Sequence, residues 1–217
     1  MTTDADGGRF ADRTEAGRRL ATELRNRGVE ADVVLAIPRG GLPLGRAVAD
    51  ALDATLDVVA ASKIGAPGNP EYAIGAVGSD GSAWLDEDVI DRLGVSDAYV
   101  EREREREARA AREKASRYRS DRPAPDLTGR SVVVVDDGAA TGATAIAALR
   151  LVRARDAARV VLAIPVAPPD TVERLEREAD AVICLETPAD FRAVGGFYDR
   201  FDQVSDEEAM AYLDDGP

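Results

Sequence analysis

Two adjacent carboxylates stand beside a turn of small residues in this chain. Asp136 and Asp137 follow four consecutive valines, and five of the next seven residues are glycine or alanine. A narrow turn lets backbone N–H groups converge on one anion, and a helix that begins there adds about half a positive charge. Two carboxylates would repel a bare phosphate, so they need hydroxyl groups or a metal nearby. The pattern therefore indicates a ligand with a phosphate at one end and vicinal hydroxyls close by, such as ribose 5-phosphate.

The sequence lacks the motifs that bind other classes of ligand. The turn matches neither the P-loop of ATP-binding proteins nor the glycine pattern of dinucleotide-binding folds. Histidine is absent, which excludes Ser-His-Asp catalysis and histidine metal sites. A single cysteine, Cys184, excludes disulfides within the chain and cysteine metal clusters.

A second candidate loop is Pro38-Arg39-Gly40-Gly41, which follows an apolar run. An arginine fork beside an uncluttered backbone suits oxygen-rich anions. Turns of this composition are also common without any ligand, so the loop alone is a weak signal.

Lysine is rare here, because only Lys63 and Lys114 are lysines among 28 basic residues. Lys63 begins a Gly-rich segment, residues 63–82. A compact ammonium group on a mobile segment can approach pyrophosphate when that segment closes. Lys63 is therefore a candidate catalytic residue, and chance retention of one lysine is the alternative.

The elements that must position these residues alternate between apolar runs and helical periodicity. The predicted strands are 32–37, 54–61, 131–135, 160–166 and 181–185, and the predicted helices are 11–27, 97–119, 170–178 and those following Gly41 and Gly142. Such alternation predicts an α/β fold with a central parallel sheet and helices on both faces, in which ligands bind beyond the carboxyl ends of strands. Residues 63–82 predict a long loop or mobile hairpin, and the alternating charges of 101–107 predict a solvated helix surface.

The charge composition limits the classes of partner that the protein is expected to bind. The chain has 41 acidic and 28 basic residues and a formal net charge of −13. Such a surface repels nucleic acid and anionic membranes, and it suits a salt-rich cytoplasm where screening is strong. The polar N-terminal stretch, residues 1–9, has no apolar signal region, so we expect a cytoplasmic protein.

The pattern from Val132 to Thr144 resembles the signature that binds 5-phosphoribosyl-1-pyrophosphate (PRPP) in type I phosphoribosyltransferases. The resemblance continues through 63–71, 73–77 and 203–208, as in a broad group of predicted microbial phosphoribosyltransferases. It implies a single domain over 1–217, with a core of about 11–62 and 127–185, a flexible loop and charged helix over 63–126, and a C-terminal hood over 186–217. The group's acceptors are unsettled, so the resemblance names no substrate.

The same resemblance implies roles for individual residues. The 5-phosphate would bind a set of seven consecutive residues: Gly138, Ala139, Ala140, Thr141, Gly142, Ala143 and Thr144. The loop after the first core strand holds pyrophosphate in this family and often carries a strained peptide bond, which assigns Arg39, Gly40 and Gly41. Asp136 and Asp137 would orient the ribose hydroxyls and meet Mg²⁺ indirectly, through bound PRPP.

The tail resembles the aromatic hood over the base in purine enzymes, which implies base contacts from Phe191, Val194, Gly195 and Tyr198; ordinary packing is the alternative. At Ala140 the hypoxanthine-guanine enzymes carry an aspartate, so adenine enzymes are the better match there. The implied activity is Mg²⁺-dependent transfer of the phosphoribosyl group from PRPP to a nitrogenous base, in a homodimer. A noncatalytic PRPP or nucleotide sensor, and a hydrolase or phosphorylase of phosphorylated ribosides, stay open as alternatives.

Overall fold

A computed structural model gives the structure of residues 9–119 and 122–214. The helices are α1 (Arg13–Asn26), α2 (Gly41–Leu52), α3 (Glu87–Leu93), α4 (Asp97–Arg119), α5 (Ala143–Arg153), α6 (Pro169–Leu175) and α7 (Asp206–Asp214). The strands are β1 (Val33–Ala36), β2 (Thr55–Val58), β3 (Ala61–Ala66), β4 (Asn69–Gly78), β5 (Ala83–Leu85), β6 (Ser131–Val135), β7 (Arg159–Val166) and β8 (Ala181–Glu186). Residues 1–8, 120–121 and 215–217, which the predicted domain includes, lie outside the described residues.

The central sheet has five parallel strands in the order β2-β1-β6-β7-β8. Alternate residues of each strand point to opposite faces. Val34, Val133 and Val161 join the apolar cluster formed with α1, α2 and α7, whereas Val132 and Leu162 join the cluster formed with α5 and α6. The predicted α/β fold with helices on both faces of a parallel sheet is confirmed.

The first two helices pack unusually closely at one point. Asp12 caps α1 by accepting a hydrogen bond from the backbone N–H of Glu15 at 2.9 Å. A Cβ at Gly17 would lie 2.7 Å from the Cα of Leu44, so only glycine allows this approach of α1 to α2. This contact sets the start of α1 beside the start of α2, where the site is found.

The Gly-rich segment forms an antiparallel sheet of three strands, β3-β4-β5, instead of an irregular loop. Gly68 turns between β3 and β4 with a φ of +75°, and a Cβ at Gly65 would lie 2.6 Å from the backbone of Pro70. The prediction of a long loop in this segment is therefore wrong. The alternative prediction of a hairpin is confirmed for the strand pairing. Glycine here serves close strand pairing as well as turns.

The charged helix is present with the predicted bounds, but the prediction of a solvated surface is wrong for one face. Val100 and Ala108 are buried against the antiparallel sheet β3-β4-β5, and Ala111 and Glu103 are buried as well. Arg119 is 8% exposed and is held by Asp57 on β2. Alternating charge alone does not reveal which side of a helix meets a neighbour.

Two short helices, α3 and α7, and the strand β5 were not predicted, because each has too few apolar residues for a periodic signal. Predicted strand and helix ends differ from the observed ones by a few residues, as at β2, which ends at Val58 before β3 begins at Ala61. Within residues 9–119 and 122–214, no helix is long and apolar enough to cross a membrane.

Candidate active site

The two candidate loops follow neighbouring strands and touch each other. β1 and β6 pair in parallel with Ala36 opposite Val135, so their carboxyl ends are adjacent. A Cβ at Gly40 would lie 2.1 Å from the Oδ2 of Asp137, and a Cβ at Gly41 would lie 2.6 Å from the carbonyl oxygen of Val135. Glycine at these two positions is therefore what lets the predicted pyrophosphate loop pack against the acidic pair.

The loop after β1 has one unusual backbone feature, because the Pro38–Arg39 peptide bond is cis. The Arg39 guanidinium lies 3.5 Å from the carboxylate of Asp206, at the start of α7. Arg39, Gly40 and Gly41 thus lie together at the carboxyl end of β1, with Arg39 facing the C-terminal segment.

The turn after β6 has the geometry of an anion cradle. Gly138 and Gly142 have φ values of +147° and +73°, and Gly142 caps the N-terminus of the eleven-residue α5. No acceptor among the described residues receives a hydrogen bond from the backbone N–H of Ala140, Thr141 or Gly142. Ala140, Thr141, Ala143 and Thr144 are exposed, whereas Ala139 is buried. The N–H groups and the two hydroxyls can therefore reach a ligand above α5.

The acidic pair is held by a cation that the sequence did not single out. Arg13, in the first turn of α1, donates from Nε to the Oδ2 of Asp137 at 2.8 Å, and both side chains are largely buried. Its guanidinium also donates to the carbonyl of Asp202 at 2.7 Å and lies 3.8 Å from the centre of the Phe201 ring. The backbone N–H of Asp137 donates to the Asp136 carboxylate at 2.9 Å.

Burial dominates the electrostatics of this pair. Burial raises the pKa of Asp136 well above its usual value, and the neighbouring Asp137 carboxylate raises it further. Burial also raises the pKa of Asp137, although the hydrogen bond and charge of Arg13 oppose that shift. Asp137 is thus bonded to a cation, Arg13. The ionised form of Asp136 is the less stable of the two carboxylates, so a nearby cation would stabilise it more.

The second lysine, Lys114, interacts electrostatically with groups of the site, although its position on the charged helix gave no such indication. The side chain is partly buried, and burial lowers its pKa while the carboxylate of Asp136 raises it and the charge of Arg39 lowers it. Lys114 thus lies within electrostatic reach of both predicted loops.

Lys63 lies in the Gly-rich segment as predicted, and its approach to pyrophosphate on closure stays a prediction. It lies on β3, in a surface hollow lined by residues of β3, β4 and α4 that include Tyr99, Glu103 and Arg106. Among the described residues that line this hollow, neither Asp136 nor Asp137 occurs. The structure does not bring Lys63 together with the acidic pair in this hollow.

Tyr198 belongs to the core and not to an open hood. It is 2% exposed, its ring is tilted against those of Phe10 at 5.3 Å and Phe201 at 4.8 Å, and its hydroxyl donates to the carbonyl of Asp137 at 2.7 Å. A ring packed in this way cannot stack on a base, so the predicted base contact is corrected to support of the Asp137 backbone.

Of the other hood residues, Val194 contacts the turn after β6. A Cβ at Gly138 would lie 2.7 Å from the Cγ1 of Val194, so the hood directly covers the turn. The rings of Phe191 and Phe197 are stacked at 5.6 Å and are partly buried. A Cβ at Gly195 would lie 2.8 Å from the Phe201 ring, which explains the small residue there. Val194 therefore contacts the turn after β6, and base contacts from Phe191, Val194 and Gly195 stay a prediction.

Comparison with known proteins gives three findings. A model of the phosphoribosyl transferase domain matches residues 11–201. A protein of Mycobacterium tuberculosis, named "Putative phosphoribosyl transferase Rv0571c", is 46% identical over 205 residues, which are 94% of this chain but 46% of that relative. The crystal structure of TT1426 from Thermus thermophilus is similar with a TM-score of 0.88 and 48% identity, over 94% of this chain and 97% of that chain. The chain thus spans about half the length of the curated relative and nearly all of the solved one.

Proposed function

Because the chain belongs to the phosphoribosyl transferase domain family, we propose that it transfers the 5-phosphoribosyl group of PRPP to a nitrogenous base and releases pyrophosphate. The family match confirms the resemblance found in the residues from Val132 to Thr144. The observation that carries the proposal is the contact of two loops at neighbouring strand ends, one with the acidic pair and anion cradle, the other with Arg39.

The cradle after β6 would bind the 5-phosphate. The backbone N–H groups from Ala140 to Gly142, which have no acceptor among the described residues, supply partial positive charge there, as do the hydroxyls of Thr141 and Thr144 and the N-terminus of α5. The carboxylates of Asp136 and Asp137 would accept hydrogen bonds from the ribose hydroxyls. Their burial supports this role, because buried carboxylates gain from replacing lost water with fixed donors.

Reaction at C1 of the ribose would break the bond to the pyrophosphate oxygen and form a bond to a nitrogen of the acceptor. Positive charge develops on the ribose ring in the transition state. The carboxylates of Asp136 and Asp137 favour that charge, and Arg39 favours the negative charge on the leaving group. The protein acts mainly by position and electrostatics, without a covalent intermediate.

Mg²⁺ bound with PRPP would neutralise the pyrophosphate oxygens. Two adjacent carboxylates, one of them already bonded to Arg13, fit an indirect contact to such an ion, through the oxygens of the substrate. Lys63 would reach the leaving group only if the β3-β4-β5 sheet moved toward the site, and that movement is part of the proposal.

The acceptor would lie against the hood. Phe191, which is stacked on Phe197, would supply an aromatic face to the base, and Val194 packs against Gly138. Ala140 has no group that exchanges a proton, which favours an acceptor that needs no carboxylate at this point. We propose a base of the adenine type before a 6-oxopurine, and a homodimer in the cytoplasm as the family resemblance implies.

The first experiment measures Mg²⁺-dependent pyrophosphate release from PRPP, in high-salt buffer, with a panel of purines, pyrimidines and amines. Asp137→Asn should lower the rate roughly 100- to 1000-fold, because one preorganised charged group is lost. Asp53→Asn is the matched control, since Asp53 is exposed and caps α2 at the end remote from the site.

Release with one acceptor that depends on Asp137 supports the transferase and names its substrate. Wild-type-like release by a folded Asp137→Asn protein contradicts the proposed role of the acidic pair. Tight binding of PRPP without release, for any acceptor, favours the noncatalytic PRPP or nucleotide sensor. The same assay with Lys63→Ala tests the proposed movement of the second sheet.

A further inference from the structure

Three side chains from two elements, the loop after β1 and helix α4, meet at one carboxylate. Asp206 lies 3.5 Å from the guanidinium of Arg39 and 2.9 Å from that of Arg117 on α4, and it accepts a hydrogen bond from the hydroxyl of Tyr118 at 3.0 Å. The pair with Arg39 is the longest of these contacts. Arg39, assigned to pyrophosphate, therefore has an anion of the protein itself within reach.

The same face of α4 carries a third cation. Lys114 precedes Arg117 by three residues and Tyr118 by four, the spacing at which helix side chains are neighbours. Lys114 is partly buried and interacts electrostatically with Asp136 and Arg39. Arg39 and Arg117 thus meet at Asp206, and Lys114 is one helical turn from Arg117 on the same face of α4.

Partial burial of a cation on α4 costs free energy that an exposed position on the helix would not lose. Exposed positions such as Arg112 keep their charge in water, whereas Lys114 is partly buried beside another cation. Desolvating a cation next to a like charge is unfavourable unless anions compensate. Asp206 and Asp136 provide part of that compensation, and a bound polyanion would provide more.

We propose that Lys114 and Arg117 of α4 form the second wall of the pyrophosphate site, opposite Arg39, and that Asp206 is a built-in competing anion which pyrophosphate must displace from Arg39. This proposal rests on the proposed function and deepens it. The site for the leaving group is then built from the insertion between β2 and β6 as well as from the loop after β1. Binding there would also loosen the tie between α7 and Arg39.

The electrostatic balance supports displacement. One carboxylate provides a single negative charge to the guanidinium groups, whereas pyrophosphate provides several, spread over oxygens that can meet more than one cation at once. The hydroxyl of Tyr118 would keep Asp206 close after the arginines have turned to the ligand. The contact is therefore reversible in the folded protein.

The test is titration calorimetry of the full chain with inorganic pyrophosphate, at fixed Mg²⁺ and KCl concentrations. Lys114→Ala should weaken binding about tenfold or more, the loss of one charge-assisted contact. Arg112→Ala removes an equal charge from the exposed side of the same helix and should bind like the wild type.

Asp206→Asn should bind pyrophosphate several-fold more tightly, because asparagine can still pair with Tyr118 but no longer competes as an anion. Glu207→Gln removes one negative charge from the next position of the same helix turn and should change affinity much less. Thermal unfolding of each variant shows that it is folded. Wild-type affinity in folded Lys114→Ala, or unchanged or weaker binding in folded Asp206→Asn, would overturn the inference.

Failure of the inference and failure of the function give different results. If the wild type binds PRPP in an Asp137-dependent way but Lys114→Ala binds pyrophosphate normally, only the second wall is wrong. If the wild type binds neither PRPP nor pyrophosphate, the proposed function fails, and this inference fails with it.

Discussion

The ion pair between Arg13 and Asp137 sets the charge state of the acidic pair. A guanidinium at 2.8 Å stabilises the ionised form of Asp137 against its burial, and the charge of Arg13 also opposes protonation of Asp136. Arg13 is itself fixed by the carbonyl of Asp202 and by the ring of Phe201. It is a positioning residue, because it would act on the ligand through Asp137.

Arg13→Gln should shift the pH dependence of PRPP binding. In the proposed binding mode ionised carboxylates accept hydrogen bonds from the ribose hydroxyls more strongly than protonated ones, and burial raises their pKa values, so affinity should fall as pH falls through those raised values. Removing the Arg13 charge raises both pKa values further. The acid limb should therefore move to higher pH, as followed by calorimetry from about pH 4.5 to about pH 8, a range that spans the ordinary carboxyl pKa and the values above it.

Arg18→Gln is the control for that shift, since Arg18 is exposed on the same helix. An acid limb that stays in place in Arg13→Gln, with the protein folded, would show that Arg13 does not set the charge of the pair.

For single residues, the roles that depend on neighbours in the sequence could be predicted. Roles that depend on residues distant in the sequence could not. The carboxylates, the turn and the helix start lie within thirteen residues, so their chemistry is legible without a fold. Arg13 is one of 26 arginines, since 28 basic residues include two lysines, and nothing local distinguishes it. Tyr198 was assigned to the ligand because sequence shows an aromatic side chain but not the Phe10 and Phe201 rings that enclose it.

Among the elements, α4 shows most clearly what periodicity can and cannot give. Its charge alternation predicted a helix with the observed bounds, but the buried face is decided by the second sheet and by β2. Arg119, at its last turn, donates from Nε to both carboxylate oxygens of Asp57 at 2.9 Å and from another nitrogen to the carbonyl of Val58 at 2.7 Å. This anchor fixes the C-terminal half of α4, including Lys114, over the central sheet.

Arg119→Ala should lower the free energy of unfolding by about 3–5 kcal/mol, because it leaves the Asp57 carboxylate buried without a partner. Urea denaturation measures the change. Arg109→Ala, at an exposed position of the same helix, should change stability by less than about 0.5 kcal/mol. A loss below about 1 kcal/mol for Arg119→Ala would mean that water replaces the guanidinium and that the anchor is weak.

For the whole molecule, the excess of acidic residues is the dominant property. A net charge of −13 on a chain of 217 residues makes the folded state repel itself. The parallel sheet could be predicted from the alternation of elements, because each crossover helix requires it. The strand order could not, since it depends on which faces pack, and neither could the three-stranded sheet, whose glycines hide its apolar pattern.

Raising KCl from about 0.1 M to about 1 M should increase the free energy of unfolding, because the Debye length falls from about 10 Å to about 3 Å and the repulsion is screened. Thermal unfolding across this series, with sucrose at matched osmolality as the control, measures the effect. A midpoint that stays flat or falls with salt would show that the acidic surface is already compensated by its arginine pairs.

The hydrogen bond from Arg13 to the backbone carbonyl of Asp202 also affects the order in which the chain folds during its synthesis. Their separation of 189 residues means that Arg13 is synthesised before its partner by roughly 10 to 40 s at ordinary elongation rates. Phe10 likewise cannot form its hydrogen bond until Phe197 has been synthesised, because its backbone N–H donates to the carbonyl of Phe197 at 2.8 Å. A nascent chain can therefore form its sheet early, but it completes the surroundings of the acidic pair only after Phe197 and Asp202 have been synthesised.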